Sequence, residues 1–204
     1  EVKECMEMRD QQELKTPSMI AAMNGNILFI QWAKEKNLID FSAKDEHGQT
    51  CLLLASASGK PLATKTVSFL LDCSSDPRVK DKHGNSCLLN AAKVGNIETI
   101  QILLEKGANV LDTDQKKRNL FHSLCRYGTF EQIFSFFDPK NLKIIKSWPL
   151  KELFDAYDDG ERDSQPSRFY ELLFHNQNLK KKQSMELDKR GKELLAMLEE
   201  QFVL

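Results

Sequence analysis

The strongest pattern in the chain is a block of apolar and small residues, opened by a polar residue and closed by glycine, that keeps returning. Thr16-Pro17-Ser18-Met19-Ile20-Ala21-Ala22-Met23-Asn24-Gly25-Asn26 recurs as Thr50-Cys51-Leu52-Leu53-Leu54-Ala55-Ser56-Ala57-Ser58-Gly59-Lys60, then as Ser86-Cys87-Leu88-Leu89-Asn90-Ala91-Ala92-Lys93-Val94-Gly95-Asn96. A weaker copy is Asn119-Leu120-Phe121-His122-Ser123-Leu124-Cys125-Arg126-Tyr127-Gly128-Thr129. The glycines Gly25, Gly59, Gly95 and Gly128 stand 34, 36 and 33 residues apart. A fixed period of this length signals stacked supersecondary units, each too small to bury its apolar face alone. The third copy shows the whole unit. A turn at Asp81-Lys82-His83-Gly84-Asn85 leads into a first helix, a second helix covers Ile97 to Lys106, and Gly107-Ala108-Asn109-Val110 closes the unit.

Each piece has a physical reason. Thr50 and Ser86 can cap the first helix of their units by accepting a bond from an unpaired amide of its first turn. Ala21, Ala22, Ala55, Ala91 and Ala92 let neighbouring helix pairs approach closely, while Leu52, Leu88, Leu103 and Leu104 fill the seams between them. Gly48 and Gly84 serve the turns, and Gly107 sits just past a helix, where a left-handed residue is wanted. The outer copies are worn: Leu14 and Lys117 stand where a turn glycine is expected, and Leu124-Cys125 replaces the small pair. The second copy carries extra residues between Lys60 and Thr66, which predicts a longer loop between its helices. Regular middles with degenerate ends are what a finite stack needs, because end units cover the core instead of continuing it.

This order of turn, first helix, glycine and second helix resembles the ankyrin repeat, whose first helix opens Thr-Pro-Leu-His-x-Ala-Ala. The resemblance spans residues 11–138, as repeats 11–44, 45–80, 81–113 and 114–138. It implies an all-α solenoid of stacked helix-turn-helix units with short β-turn fingertips. It implies a non-enzymatic protein-binding scaffold or adaptor, in which fingertips and inner helices form a concave groove. Carried over repeat by repeat, the partner-binding surface comprises Asp45, Glu46, His47 and Gln49, then Lys82, His83, Asn85 and Lys93, then Lys116, Lys117, Arg118, Arg126 and Tyr127. Gln12, Glu13, Met23, Asn24, Ala57, Ser58, Val94 and Gln115 extend it. The second tip is acidic and the third and fourth are basic, so the expected partner is a protein or peptide presenting an acidic or phosphorylated segment, with Tyr127 as an aromatic anchor.

Residues 139–204 lose the period. Leu150, Leu153, Phe154 and Tyr157 after Pro149, and Phe169, Leu172 and Leu173 after Pro166, predict two short helices, read as a cap on the stack with a fifth repeat lacking its motif as the alternative. From Ser184, Leu187, Leu194, Leu195, Leu198 and Phe202 fall on one side of a helix preceded by Lys180-Lys181-Lys182. That helix is expected to pack on the stack or its cap; in alternative readings it binds a partner, or occupies the groove of an autoinhibited intracellular regulator. A bacterial effector with a separate C-terminal activity is a further alternative.

Composition adds mostly exclusions. Lys and Arg total 29 against 30 for Asp and Glu, a net charge of −1, which disfavours nucleic acid and anionic membrane as partners. No apolar run reaches the roughly 20 residues that cross a bilayer. Five scattered cysteines, Cys5, Cys51, Cys73, Cys87 and Cys125, read as reduced thiols of a cytoplasmic protein, with the nucleus as the other compartment. The chain opens on Glu1 rather than Met, as a piece of a longer protein would. A monomer is expected, without cofactor or metal. His47 and Cys51, like His83 and Cys87, mimic ligand pairs, but they occupy equivalent repeat positions expected to lie too far apart to share an ion. His122 and Cys125 lie three apart on one helix, where an inert buried thiol is the expectation. An enzyme would need its site in residues 139–204, where no motif joins Asp155, Glu171 and His175.

Overall fold

The computed structural model describes residues 2–127. The expected second helix of the fourth unit, the cap over 139–204 and the amphipathic segment after Ser184 lie outside the described residues. Within them the chain forms α1 (Val2–Glu7), α2 (Pro17–Met23), α3 (Ile27–Glu35), α4 (Cys51–Ser56), α5 (Ala63–Asp72), α6 (Cys87–Lys93), α7 (Ile97–Glu105) and α8 (Leu120–Tyr127). No strand forms among the described residues, only an isolated bridge between Lys80 and Ser86.

The first helix of each unit starts where its cap says it should. Thr16, Thr50 and Ser86 have extended backbones, and their hydroxyls accept from the amides of Met19, Leu53 and Leu89. Asn119 caps α8 in the same way, accepting from the His122 amide at 3.2 Å, while its own amide donates to His122 Nδ1. The motif histidine is therefore a buried capping partner. The second helices α3 and α7 are capped by Asn26 and Asn96 instead, but α5 starts at Leu62 with no side-chain cap.

Two rows result. Helices α2, α4, α6 and α8 pack side by side as an inner row, and α3, α5 and α7 form an outer row against it. Met19, Leu52, Leu53, Leu88, Ile30, Leu70, Ile100, Leu103 and Leu120 are fully buried between the rows, and Ala55, Ala91 and Ala92 are buried where helices approach. Leu104, expected in the same seam, is only partly covered. Side chains also tie neighbouring units together: Asn96 Nδ2 donates to Thr64 Oγ1 at 3.0 Å, and the Thr64 and Thr99 hydroxyls meet at 3.1 Å.

The extra residues of the second unit form the connection between α4 and α5, and this loop lies against Gly25, whose Cβ would stand 3.3 Å from the Ala63 amide nitrogen. Helix α1 was not expected. It is short and mostly polar, and only Met6 of it is buried.

Two glycines make opposite demands. Gly84 has φ +77, and a Cβ there would lie 3.2 Å from the Gln115 nitrogen in the next turn; Gly59 has open space around it and no left-handed backbone. Gly84→Ala should therefore cost about 1–3 kcal/mol, since it combines strain with a contact against backbone. Gly59→Ala should be neutral or stabilise by about 0.4–1 kcal/mol through the unfolded chain. Urea denaturation of the two variants checks this contrast, and equal midpoints would contradict it.

Candidate partner-binding face

One carboxylate organises each turn. Asp45 Oδ1 accepts the amides of His47 and Gln49, Asp81 Oδ1 those of His83 and Asn85, and Asp114 Oδ1 those of Lys116 and Arg118, all at 2.8–2.9 Å. The residue after the first of each pair is left-handed: Gly48, Gly84 and, without glycine, Lys117 at φ 57. The first turn has the same plan with one more residue. Asp10 Oδ1 accepts from Glu13 and Lys15, and Leu14 takes the left-handed place at φ 55.

Main-chain bonds then join turn to turn. The Glu46 amide donates to the Glu13 carbonyl at 3.0 Å, Lys82 to His47 at 2.9 Å, and Gln115 to His83 at 3.0 Å. Four turns are thus linked in one main-chain ladder.

This arrangement sorts the thirteen residues expected to bind. Glu46, Lys82, His83, Lys116, Lys117 and Tyr127 are exposed, and His47 and Gln49 are half-buried. Asp45 is a correction. Its side chain is fully buried, capping its own turn and 3.6 Å from Lys15 Nζ, so it shapes the tip and cannot touch a partner. Asn85 and Arg118 are engaged internally as well. Asn85 donates to Asp81 and accepts from Lys93, while Arg118 Nε and Nη2 both reach Asp114 Oδ2, at 2.8 and 2.6 Å. The side chain of Arg126 lies outside the described part.

Sequence reasoning missed Lys15. It is a buried lysine between Glu13 and Asp45, and although burial opposes its charge, those carboxylates and Asp10 hold its pKa above the usual lysine value. Its only sequence signal is a lysine where the other units carry an uncharged residue before the capping hydroxyl or a paired arginine. The rings of His47 and His83 stand with centroids 6.3 Å apart, tilted to one another. His47 Nε2 also lies 3.6 Å from Glu46 and 3.9 Å from Glu13. Among the described residues, no group of three His, Cys, Asp or Glu side chains is placed to hold a metal ion.

The face is polar in the electrical sense. Glu13 and Glu46 stand at one end. Lys82, Lys116 and Lys117 stand at the other, with Lys93 half-buried behind them at the end of α6. Apolar side chains are also exposed along the inner helices, at Ile20 and Met23 of α2, Val94 at the end of α6 and Tyr127 at the end of α8.

Elsewhere the described surface is less organised. A cavity of about 480 Å³ lies beside α1, lined by Lys3, Arg9, Asp40 and neighbouring residues, and Leu28 and Trp32 are exposed on α3. The thiols of Cys51 and Cys87 are pushed up to about 12 by burial, so neither is a nucleophile near neutral pH. No helix among the described residues is long and apolar enough to cross a membrane.

Residues 57–137 match the family model described as ankyrin repeats, in three copies. The matched span takes in α5 to α8 and the third and fourth turns. The first helix pair, α2 and α3, precedes it and repeats the same geometry.

Proposed function

We propose, on the premise that this chain carries ankyrin repeats, which are generally protein–protein interaction modules, that it is a non-enzymatic adaptor holding a partner segment against its turns and inner helices. The observation that carries this reading is the row of exposed side chains, Glu46, Lys82, Lys116 and Lys117, presented by turns whose spacing the main chain holds. A rigid, charged, unequal row suits a partner with charge of the opposite order. Its acidic or phosphorylated end lies against the third and fourth turns. Free buried cysteines suit a reducing compartment, the cytoplasm or nucleus, and binding by a single copy needs no second chain.

Charge reversal tests the orientation. Exposed ion pairs contribute about 0.2–1 kcal/mol each, so Lys82, Lys116 and Lys117 changed together to Glu should weaken the captured partner roughly tenfold or more at low salt. The loss should shrink at high salt as the charges are screened. Affinity capture from cell extract with the intact chain, followed by calorimetry on the identified partner, gives the comparison. Equal affinity for both proteins at low salt would remove the basic turns from the interface. Arg118 is left out of this variant because its reversal would break the fourth turn itself.

A further inference from the structure

Lys93 is an unusual lysine for a protein surface. It ends α6, half-buried, and its Nζ donates to Asn85 Oδ1 at 2.5 Å. Asn85 in turn donates to Asp81 Oδ2 at 2.9 Å. No carboxylate among the described residues comes within 4.0 Å of Lys93 Nζ. Burial, the largest influence, lowers its pKa and Arg118 lowers it further, while Asp114, Asp81 and Tyr127 act in the other direction. A desolvated ammonium bonded to one neutral acceptor keeps two N–H groups for another.

Its surroundings are specific. Arg118 and Tyr127 are near enough to act on its charge, and Tyr127 also acts on Arg118. Val94 follows Lys93 directly and is 36% exposed, and Tyr127 is 47% exposed. Lys93 and Val94 end α6 and Tyr127 ends α8, the helix packed against it, so ammonium, phenol and aliphatic surface belong to the same pair of helix ends.

We propose that this place is a subsite for one carboxylate side chain of the bound segment, a Glu or Asp seated on Lys93 with an apolar neighbour against Val94 and Tyr127. The subsite rests on the groove-binding reading above. The charges favour a carboxylate over a phosphate. Arg118 is already paired with Asp114, and the fork that would clasp a phosphate is engaged there. Among the described residues, what remains open is a single ammonium, which matches a single negative charge. The apolar flank restricts the neighbouring residue, and the exposed lysines of the turns guide approach.

Panning a random linear-peptide phage library on the full chain, on Lys93→Met and on Lys93→Gln tests it. The wild-type pool should carry Asp or Glu at one fixed position beside an aliphatic or aromatic residue. Both variants should still select peptides, unfold at the wild-type midpoint and lose the acidic position. A wild-type pool with no fixed acid, or variant pools that keep it, would overturn the subsite while leaving groove binding intact. Failure of any peptide to enrich on any of the three proteins would overturn the groove-binding reading, and the subsite with it.

A synthetic peptide from the wild-type pool, with Gln or phosphoserine replacing its acid, gives a second reading on the unmutated protein. The acid should bind about tenfold tighter than Gln, as one charge-assisted hydrogen bond warrants. Phosphoserine binding tighter than Glu would overturn the assignment to a carboxylate. Affinity for the Glu peptide should also fall as pH rises through the lowered pKa of Lys93, and that limb should be absent in Lys93→Met. A profile shared by wild type and variant would remove Lys93 from the contact.

Discussion

Asp114→Ala should destabilise the chain by about 3 kcal/mol and loosen the fourth turn before anything else opens. The substitution removes the acceptor of two backbone amides, Lys116 and Arg118, and of two guanidinium nitrogens. Arg118, with 18% of its side chain exposed, is left without its counterion. Removing one member of a largely buried pair costs more than the pair contributes, because the other charge stays desolvated. Hydrogen exchange should show faster loss of protection in α8 while α4 keeps its own. An unchanged denaturant midpoint would mean that the turn is held by the ladder alone.

The same residue sets an acid limit. Burial pushes the Asp114 carboxyl up, but the Arg118 side chain and the turn amides outweigh it, so its pKa lies below the ordinary 3.8. A carboxylate with a depressed folded value contributes stability that is complete above the unfolded value and is lost as pH falls through the folded one. The wild type should therefore lose stability below about pH 4, and Asp114→Asn, less stable at neutral pH, should show a shallower acid limb.

The second large effect belongs to the core. Leu88 is fully buried in α6, the helix that touches α4, α7 and α8. Leu88→Ala should cost about 3 kcal/mol through lost transfer free energy and the cavity left behind. Its position spreads the loss along the stack and weakens the coupling between units. Units in a repeat array stabilise one another only through shared faces, so a gap at α6 weakens two interfaces at once. Equilibrium unfolding should split into two phases, with α8 released ahead of α2 to α5. Leu104→Ala, on a partly covered side chain, should cost less and keep a single transition. Equal losses from the two variants would contradict the division of the core between seam and rim.

Legibility followed the source of each constraint. Caps, small contact residues and left-handed turn positions are dictated within a few residues, so Thr50, Ser86, Ala55, Ala91, Gly48 and Gly84 could be placed from the sequence. Even Leu14 and Lys117 keep the left-handed place that the period assigned to a glycine, because the turn bonds around them outweigh the strain. Burial of charge was not legible. Asp45 and Arg118 look like surface residues in the sequence, and only the folded turn shows that their partners are amides and Asp114. Lys15 was missed for the same reason, since its two carboxylates come from different units. Helix α1 escaped because one buried methionine in a polar segment makes no periodic signal.

Because neighbouring turns are joined mainly through amide and carbonyl atoms, with Gln115 Nε2 adding one side-chain bond to the Lys82 carbonyl, that ladder does not depend on the side chains of Glu46, Lys82 or Lys116. Exchange of Glu46, Lys82 or Lys116 changes what the surface recognises without changing the distance from one contact to the next. Folding and recognition thus draw on separate atoms of the same residues. An array built this way can drift towards new partners one substitution at a time, and can be rewritten by design, with its pitch as the fixed element.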